Sequence, residues 1–340
     1  MPTIRDVALR AGVSATTVSH VINASRNVDP RTAARVHAAI AELKYHPNAL
    51  ARSMRRGQTH TIGVVLPDIS NPFFGDLARQ IEGEMFEAGY SAIICNTDGD
   101  ADKESRYLDV LLSKKVDGLV LIAANQPSDR LRHIIEVGPT TVVVDRALDD
   151  LPTSHVVVAN HRGGQMAGEH LLELGHRNIG VVAGPGGLGT SAQRLEGFRH
   201  ALAQADIAVD DRHVFHGDFK AASGRIALHR WLGEDALPTA VFAENDMMAL
   251  GLLSAAHSVG IQVPARLSVV GFDGIAFTAE SSPALTTVAQ SSARMAAVTV
   301  ALLLDHLKDS HVSPQCVELP VELLVRGSTA PIPQTSPLSA

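Results

Sequence analysis

From Thr61 to Gly271 short apolar runs alternate with amphipathic helical stretches, and this alternation limits the possible folds more than any other feature. The runs are IGVVL (62–66), SAIIC (91–95), GLVLI (118–122), TTVVV (140–144), VVVA (156–159), IGVVA (179–183), TAVF (239–242) and LSVVG (267–271), with a further strand near Val214. Helical stretches fall between them: one running to Gly89, one at 102–115, one near 129–137 and one running to Leu174. Others lie near 191–205, at 221–232 and at 247–259. Such alternation implies parallel strands joined by crossover helices. There are more strands than one sheet comfortably holds, so the pattern predicts two similar α/β subdomains. Ligands of such folds bind in the cleft at the carboxyl ends of the strands.

The first 60 residues follow another grammar. Thr3-Ile4-Arg5-Asp6 has the hydroxyl-then-acid spacing of a helix N-terminus, and Ile4, Val7, Ala8 and Ala11 share one face of the helix it opens. Gly12 breaks that helix. Ser14 caps a second, which turns Ala15, Val18, Val21 and Ile22 inward and leaves Thr16, Thr17, Ser19 and His20 on the other face. Two short helices about a glycine turn make a helix-turn-helix, whose second helix can enter a DNA major groove with short polar groups suited to bases and phosphates. Asp29-Pro30 opens a third helix, and its stripe of Val36, Ile40 and Leu43 closes over the first two. Pro47 then interrupts the chain. The nine residues from Asn48 to Arg56, ended by Gly57, are too few to hold a helix alone in water, so a partner is needed to order them.

The net charge of −7 over 340 residues, taken whole, opposes nucleic acid as a partner. Its distribution reverses that inference. Residues 1–57 hold nine Lys and Arg against three Asp and Glu, a balance of +6, while the remainder holds 20 against 33, or −13. A basic head on an acidic body is the asymmetry expected when only the head meets phosphates. No apolar run approaches the ~20 residues of a membrane span and the N-terminus has no signal-peptide core, so a cytoplasmic, nucleoid-associated protein with no membrane partner is expected. Cys95 and Cys316 each lie in an apolar strand-like run and are expected to be buried free thiols. The closing GSTAPIPQTSPLSA, rich in Pro and Ser, is expected to be disordered.

Chemistry-bearing residues gather where strands end. Asn71-Pro72-Phe73-Phe74 follows the first strand, a pair of adjacent aromatics in a chain only 4% aromatic. Asp145-Arg146 ends TTVVV, Asn245-Asp246 follows TAVF and Asp273 follows LSVVGF. Arg194 opens the helix after IGVVA, and Gln290 follows LTTVA. Acids, amides and arginines that clamp hydroxyls, with aromatic planes beside them, suit a small polyol or sugar. Recurrence at six strand ends points to one shared cleft. Gly184, Gly186 and Gly189 satisfy G-x-G-x-x-G, but no acidic residue ends a strand about 20 residues later, so a flexible loop is the better reading than a dinucleotide site. No phosphate-binding, nucleophile-elbow or zinc motif occurs and the 16 histidines are scattered. No catalytic residue, metal or cofactor is therefore expected. A nicotinamide-dependent enzyme would leave the basic head unexplained, and a transport binding protein would lack its signal peptide.

Across nearly its whole length the chain resembles the bacterial lactose/galactose repressor family. The residues that carry this are TIRDVALRAGVSATTVSHVIN, HPNALARSMRRG, VDGLVL, ELGHRNIGVVAGP, GDF, ENDMMALG and VVGFDG…PALTTV. The resemblance implies a homodimeric repressor of a palindromic double-stranded operator, with an all-α helix-turn-helix head at 1–46 and a hinge helix and linker at 47–60. It implies an α/β core like periplasmic sugar-binding proteins at 61–328, its N-subdomain about 61–159 and 291–319, its C-subdomain about 160–290 and 320–328. Three crossovers near 160, 290 and 320 join the subdomains, and 329–340 is the disordered tail. Carried over by position, Ala15, Thr16 and His20 face bases. Thr3, Ser14, Thr17, Ser19, Asn23 and Arg52 complete the DNA-binding set, and Met54 stands where the family usually has a leucine that wedges into the minor groove. The pocket is most similar to that of ribose-binding proteins and ribose repressors. The residues that match are Asn71, Phe73, Phe74, Asp145 and Arg146, then Arg194, Phe219, Asn245, Asp273 and Gln290. A small sugar effector, ribose or a like pentose, is thus implied. A purine- or nucleoside-responsive repressor is the alternative, and it is disfavoured because the purine repressor has an arginine that aligns with Leu188.

Overall fold

The computed structural model describes residues 2–23, 26–45, 58–122, 129–146, 148, 151–309 and 311–332. Arg52, Met54 and the rest of the hinge segment through Gly57, the chain beyond Ile332 and the side chain of Asn23 lie outside the described residues. The chain divides into two compact units, Met1–His60 and Thr61–Ala340.

The head is built from α1 (Ile4–Ala11), α2 (Ala15–Asn23) and α3 (Pro30–Leu43). Thr3 and Asp6 form a reciprocal capping box: Thr3 Oγ1 accepts from Asp6 N, and Asp6 accepts from Thr3 N at 2.7 Å. These bonds satisfy donors that a helix start leaves open. Gly12, at φ 65, ends α1 in the left-handed region that favours glycine. Val7, Ala8 and Ala11 of α1, Val18 of α2, and Val36 and Ala39 of α3 form the small core.

The second unit holds two six-stranded sheets. In chain order the strands are β1 (Thr61–Leu66), β2 (Ser91–Asn96), β3 (Gly118–Ile122), β4 (Thr140–Val144), β5 (Ser154–Val158), β6 (Ile179–Ala183), β7 (Val214–His216), β8 (Ala240–Ala243), β9 (Ser268–Asp273), β10 (Thr286–Ala289), β11 (Cys316–Leu319) and β12 (Glu322–Leu324). The first sheet runs β11-β5-β4-β3-β1-β2, the second β12-β10-β9-β8-β6-β7. All neighbours are parallel except β12, which pairs antiparallel with β10. The helices that position the cleft are α4 (Pro72–Glu87), α5 (Ala101–Ser113), α6 (Asp129–Val137), α7 (Asn160–Glu173), α8 (Gly189–Ala203), α9 (Ala221–Gly233), α10 (Asp246–Ser258), α11 (Phe277–Glu280) and α12 (Ser292–Lys308). The chain passes between the sheets after Val158, after Ala289 and after Leu319. Two similar α/β subdomains with a helical head are the architecture expected of the sequence.

Helix α7 packs unusually closely on α8. A Cβ on Gly164 would lie 1.9 Å from the Arg194 carbonyl, and one on Gly197 1.9 Å from the His161 carbonyl. Only glycine permits that approach.

Two expectations fail. Cys95 is buried, but Cys316 is exposed, because it opens β11 at the edge of its sheet, where one side has no neighbouring strand. The tail does not begin at 329. Ser328 is fully buried and its Oγ donates to the Val269 carbonyl at 2.6 Å. Ala330 N then donates to Ser268 Oγ at 3.1 Å, and Ile332 N to the Leu174 carbonyl at 3.1 Å. Proline-rich composition foretold disorder, yet the start of β9 leaves backbone and hydroxyl groups that this segment satisfies.

Candidate functional site

The carboxyl ends of the strands in both sheets converge on one cavity of about 200 Å³. That is below the roughly 300–1,000 Å³ of sites for drug-sized ligands, so the occupant is small. All ten residues expected to bind a ligand line it: Asn71, Phe73, Phe74, Asp145 and Arg146 from the first subdomain, and Arg194, Phe219, Asn245, Asp273 and Gln290 from the second or its crossover. Asp68, Asp98, Thr190, Asp218 and Lys220 line it as well and were not foreseen. Each stands in or just after a loop that follows a strand, the signal that found the others except Phe219, which only the family resemblance supplied. Asp246, also a candidate by position, does not line the cavity. It accepts from Thr287 Oγ1 at 2.6 Å and Ile275 N at 2.9 Å, a structural tie between elements.

Helix starts place the aromatics. Asn71 caps α4 by accepting from Phe73 N at 3.1 Å, which sets Phe73 and Phe74 in the first turn with ring centroids 5.3 Å apart, edge to face. Asn245 caps α10 by accepting from Met248 N, and its Nδ2 donates to the Phe219 carbonyl at 2.9 Å. That bond steadies Phe219, whose φ of 63 is sparsely populated for a bulky residue. Asp145 at φ 73 and Asp273 at φ 116 are also left-handed, one at the end of each subdomain's cleft-facing strand. Asp98, at φ 57, is a fourth cavity residue in this region, and strained backbone recurring around one cavity is the pattern of a functional site.

Arg194 organises the charges. Its Nε donates to Asn160 Oδ1 at 2.8 Å, its Nη1 donates to the Glu244 carbonyl at 2.6 Å, and Nη1 lies 3.7 Å from Asp273 Oδ1. Burial drives the Asp145 and Asp273 carboxyls upward, and Arg194 opposes this in both. Burial likewise lowers Arg146, which Asp145 partly restores. Gln290 Nε2 donates to Asp273 Oδ1 at 2.8 Å, while its buried Oε1 has no hydrogen-bond partner among the described residues. Such an acceptor is costly unless a ligand donor reaches it.

Behind the cavity, Glu244 is fully buried and accepts from Gly184 N at 2.7 Å and Ser191 Oγ at 2.5 Å. Burial raises its carboxyl to about 7. Gly184, the first residue of the glycine loop, is thus pinned rather than free. The chemistry available is directional binding of hydroxyl, amide or ring-nitrogen groups between aromatic faces.

In the head, Ser14 Oγ accepts from Thr17 N at 3.0 Å, so Ser14 and Thr17 serve the helix start as well as offering polar groups. Ser14 and Thr16 are exposed, while Thr17, Ser19 and His20 are half-buried. Thr3 is exposed but engaged in its capping box. Ala15 is half-buried, packed against the head core. Among the described residues no group of three or more His, Cys, Asp or Glu is arranged to hold a metal, and no helix is long and apolar enough to cross a membrane.

Comparison with known proteins agrees with both halves. Residues 3–48 match the model of bacterial regulatory proteins of the lacI family, and residues 169–329 the periplasmic binding protein-like domain. The HTH-type transcriptional repressor PurR of Proteus mirabilis is 40% identical over 334 residues, 97% of each chain. The lac repressor dimer bound to operator and the anti-inducer ONPF superposes with a TM-score of 0.88 at 29% identity, over 97% of this chain and 99% of that one. A family regulator from Enterococcus faecium with bound ribose superposes with a TM-score of 0.74 at 32% identity, over 80% of this chain and 99% of that one. The chain belongs to the LacI family, and it is a DNA-binding transcriptional repressor of the kind that acts as a dimer and answers to a small-molecule effector.

Proposed function

We propose that the effector is D-ribose or a like pentose, that it fills the cavity and draws the two subdomains together, and that it thereby releases the operator from the helix-turn-helix head. The observation that carries this is the lining: three phenylalanines for the apolar ring faces, with Asp145, Arg146, Arg194, Asp273 and Gln290 from both subdomains for hydroxyls. A ligand held by both subdomains favours the form in which both reach it, and it shifts the equilibrium only by that preference. The ribose-bound regulator, at 32% identity, supports the same reading. Thr16, Thr17, Ser19 and His20 contact the operator, with Thr3, Ser14, Asn23 and the hinge residues Arg52 and Met54 around them. Exposed Phe86 and Ile94 suit a symmetric contact between two copies.

The second reading is a purine effector, and relatedness favours it. PurR repressors match the whole chain at 37–40% identity, more than the ribose-bound regulator. A purine ring also fits between phenylalanines, and it would tighten rather than release the operator complex. Against it, Leu188 takes the place of the arginine expected in a purine repressor.

Calorimetry with D-ribose, other pentoses, hypoxanthine and guanine separates the two. Ribose at about 100 times its Kd is expected to stabilise the core by about 2.7 kcal/mol and to lower operator affinity. Asp145→Ala is expected to remove both effects and leave DNA binding intact. Purine binding that strengthens the operator complex overturns the pentose reading.

A further inference from the structure

We propose that Asp98 and Lys220 form an electrostatic clasp across the mouth of the cleft, holding the closed form on its occupant and slowing release. The inference rests on the cavity being the effector site but not on which effector it takes.

The two residues stand on opposite subdomains, Asp98 in the loop after β2 and Lys220 in the loop after β7, and both line the same cavity. Each loop is fixed from its own side. Asp98, at φ 57, accepts from Asn96 Nδ2 at 2.6 Å and from Lys103 Nζ at 2.5 Å. Across the mouth, Asp218 Oδ1 accepts from Lys220 N at 3.0 Å, Ser223 Oγ accepts from Asp218 N at 3.1 Å, and Asn245 anchors the Phe219 carbonyl between them. Little backbone freedom is therefore left to lose when the charges meet. The hydrogen bonds from Lys103 and Asn96 hold the Asp98 carboxyl low, and the charge of Lys220 adds to them across the cleft. Lys220 itself joins no ion pair among the described residues, so its charge remains available to Asp98.

Both side chains are exposed, which sets the size of the effect. An exposed ion pair contributes about two- to fivefold in an equilibrium or rate, and salt screens it. Its place across the cleft puts that modest factor on the closed form itself, in addition to the contacts the ligand makes.

The test uses the full-length dimer with D-ribose and, in parallel, hypoxanthine as probes. Lys220→Ala is expected to speed release of the bound probe about two- to fivefold at low ionic strength, and Lys220→Glu more. Both effects should shrink at high salt and in an Asp98→Asn background. Unchanged release in Lys220→Ala, or an undiminished effect in the Asp98→Asn background, overturns the clasp. If neither probe binds, the effector assignments fail, and the clasp is decided without ligand by titrating a ¹³C-labelled Asp98 carboxyl. A higher pKa in Lys220→Ala supports the clasp and an unchanged one refutes it.

Discussion

The guanidinium carbon of Arg194 stands 3.7 Å from the ring centroid of Phe272, so the charge that balances Asp273 also rests on an aromatic face. The side chain is buried, with its Nε committed to Asn160 and its Nη1 to the Glu244 carbonyl beside Asp273. Arg194→Ala strands those partners in a buried site. Loss of about 3–5 kcal/mol in urea unfolding is expected, together with loss of effector binding in calorimetry. Arg194→Lys lacks the planar fork and should rescue stability only in part. Unfolding that matches the parent would refute this account of the site.

Stability should depend on pH through buried carboxyls. Burial raises Glu244 from 4.5 to about 7 and Asp246 from 3.8 to about 7. A carboxyl raised on folding is favoured in its protonated form. Its contribution is therefore full below its unfolded pKa and is lost as pH climbs through about 7. For Glu244 the loss is of order 3 kcal/mol. Glu244→Gln keeps an acceptor for Gly184 N and Ser191 Oγ without the charge, so its stability curve between pH 5 and pH 8 should be flatter than the parent's. Denaturant melts at the two pH values measure the difference.

Gly164→Ala should disable the effector site from a distance. The new methyl would meet the Arg194 carbonyl at 1.9 Å, and backbone cannot move aside as a side-chain tip can. Overpacking of this kind costs about 1–3 kcal/mol or more. Since the displaced residue is Arg194, effector affinity should fall along with stability. Operator binding by the intact fraction should persist, as gel shift without effector would reveal.

His20→Ala is expected to weaken specific operator binding by about 1–3 kcal/mol, the scale of one base contact. Its affinity for unrelated DNA should scarcely change, and the salt slope of binding should stay the same, because no phosphate contact is removed. Fluorescence anisotropy at several salt concentrations separates base contact from backbone contact. A uniform loss on all DNA would reassign His20 to the backbone.

Local pattern alone was enough to reveal the helices of the head and most strands of the core. Thr3 with Asp6, Asn71 before Phe73, and Asp29 before Pro30 are caps whose bonding is complete within four residues, so no distant partner is needed to specify them. Nine of the ten cavity residues were legible for a related reason, since parallel strands of α/β units bring their carboxyl ends to one edge wherever they lie in the chain; Phe219 came only from the family resemblance. Tertiary structure decided what depends on neighbours remote in sequence. Whether Cys316 is buried turned on whether β11 has a strand on its far side. Disorder of Thr329 to Ile332 turned on the free groups at Ser268, Val269 and Leu174. Asp246 and Asn245 are adjacent and equally polar, yet one ties Thr287 to Ile275 while the other faces the ligand cavity. Burial raises the Glu244 carboxyl to about 7, and only the packing of three separate segments creates that burial. Composition and periodicity fix which atoms a residue can offer; the environment that sets their charge and partners exists only after the chain has folded.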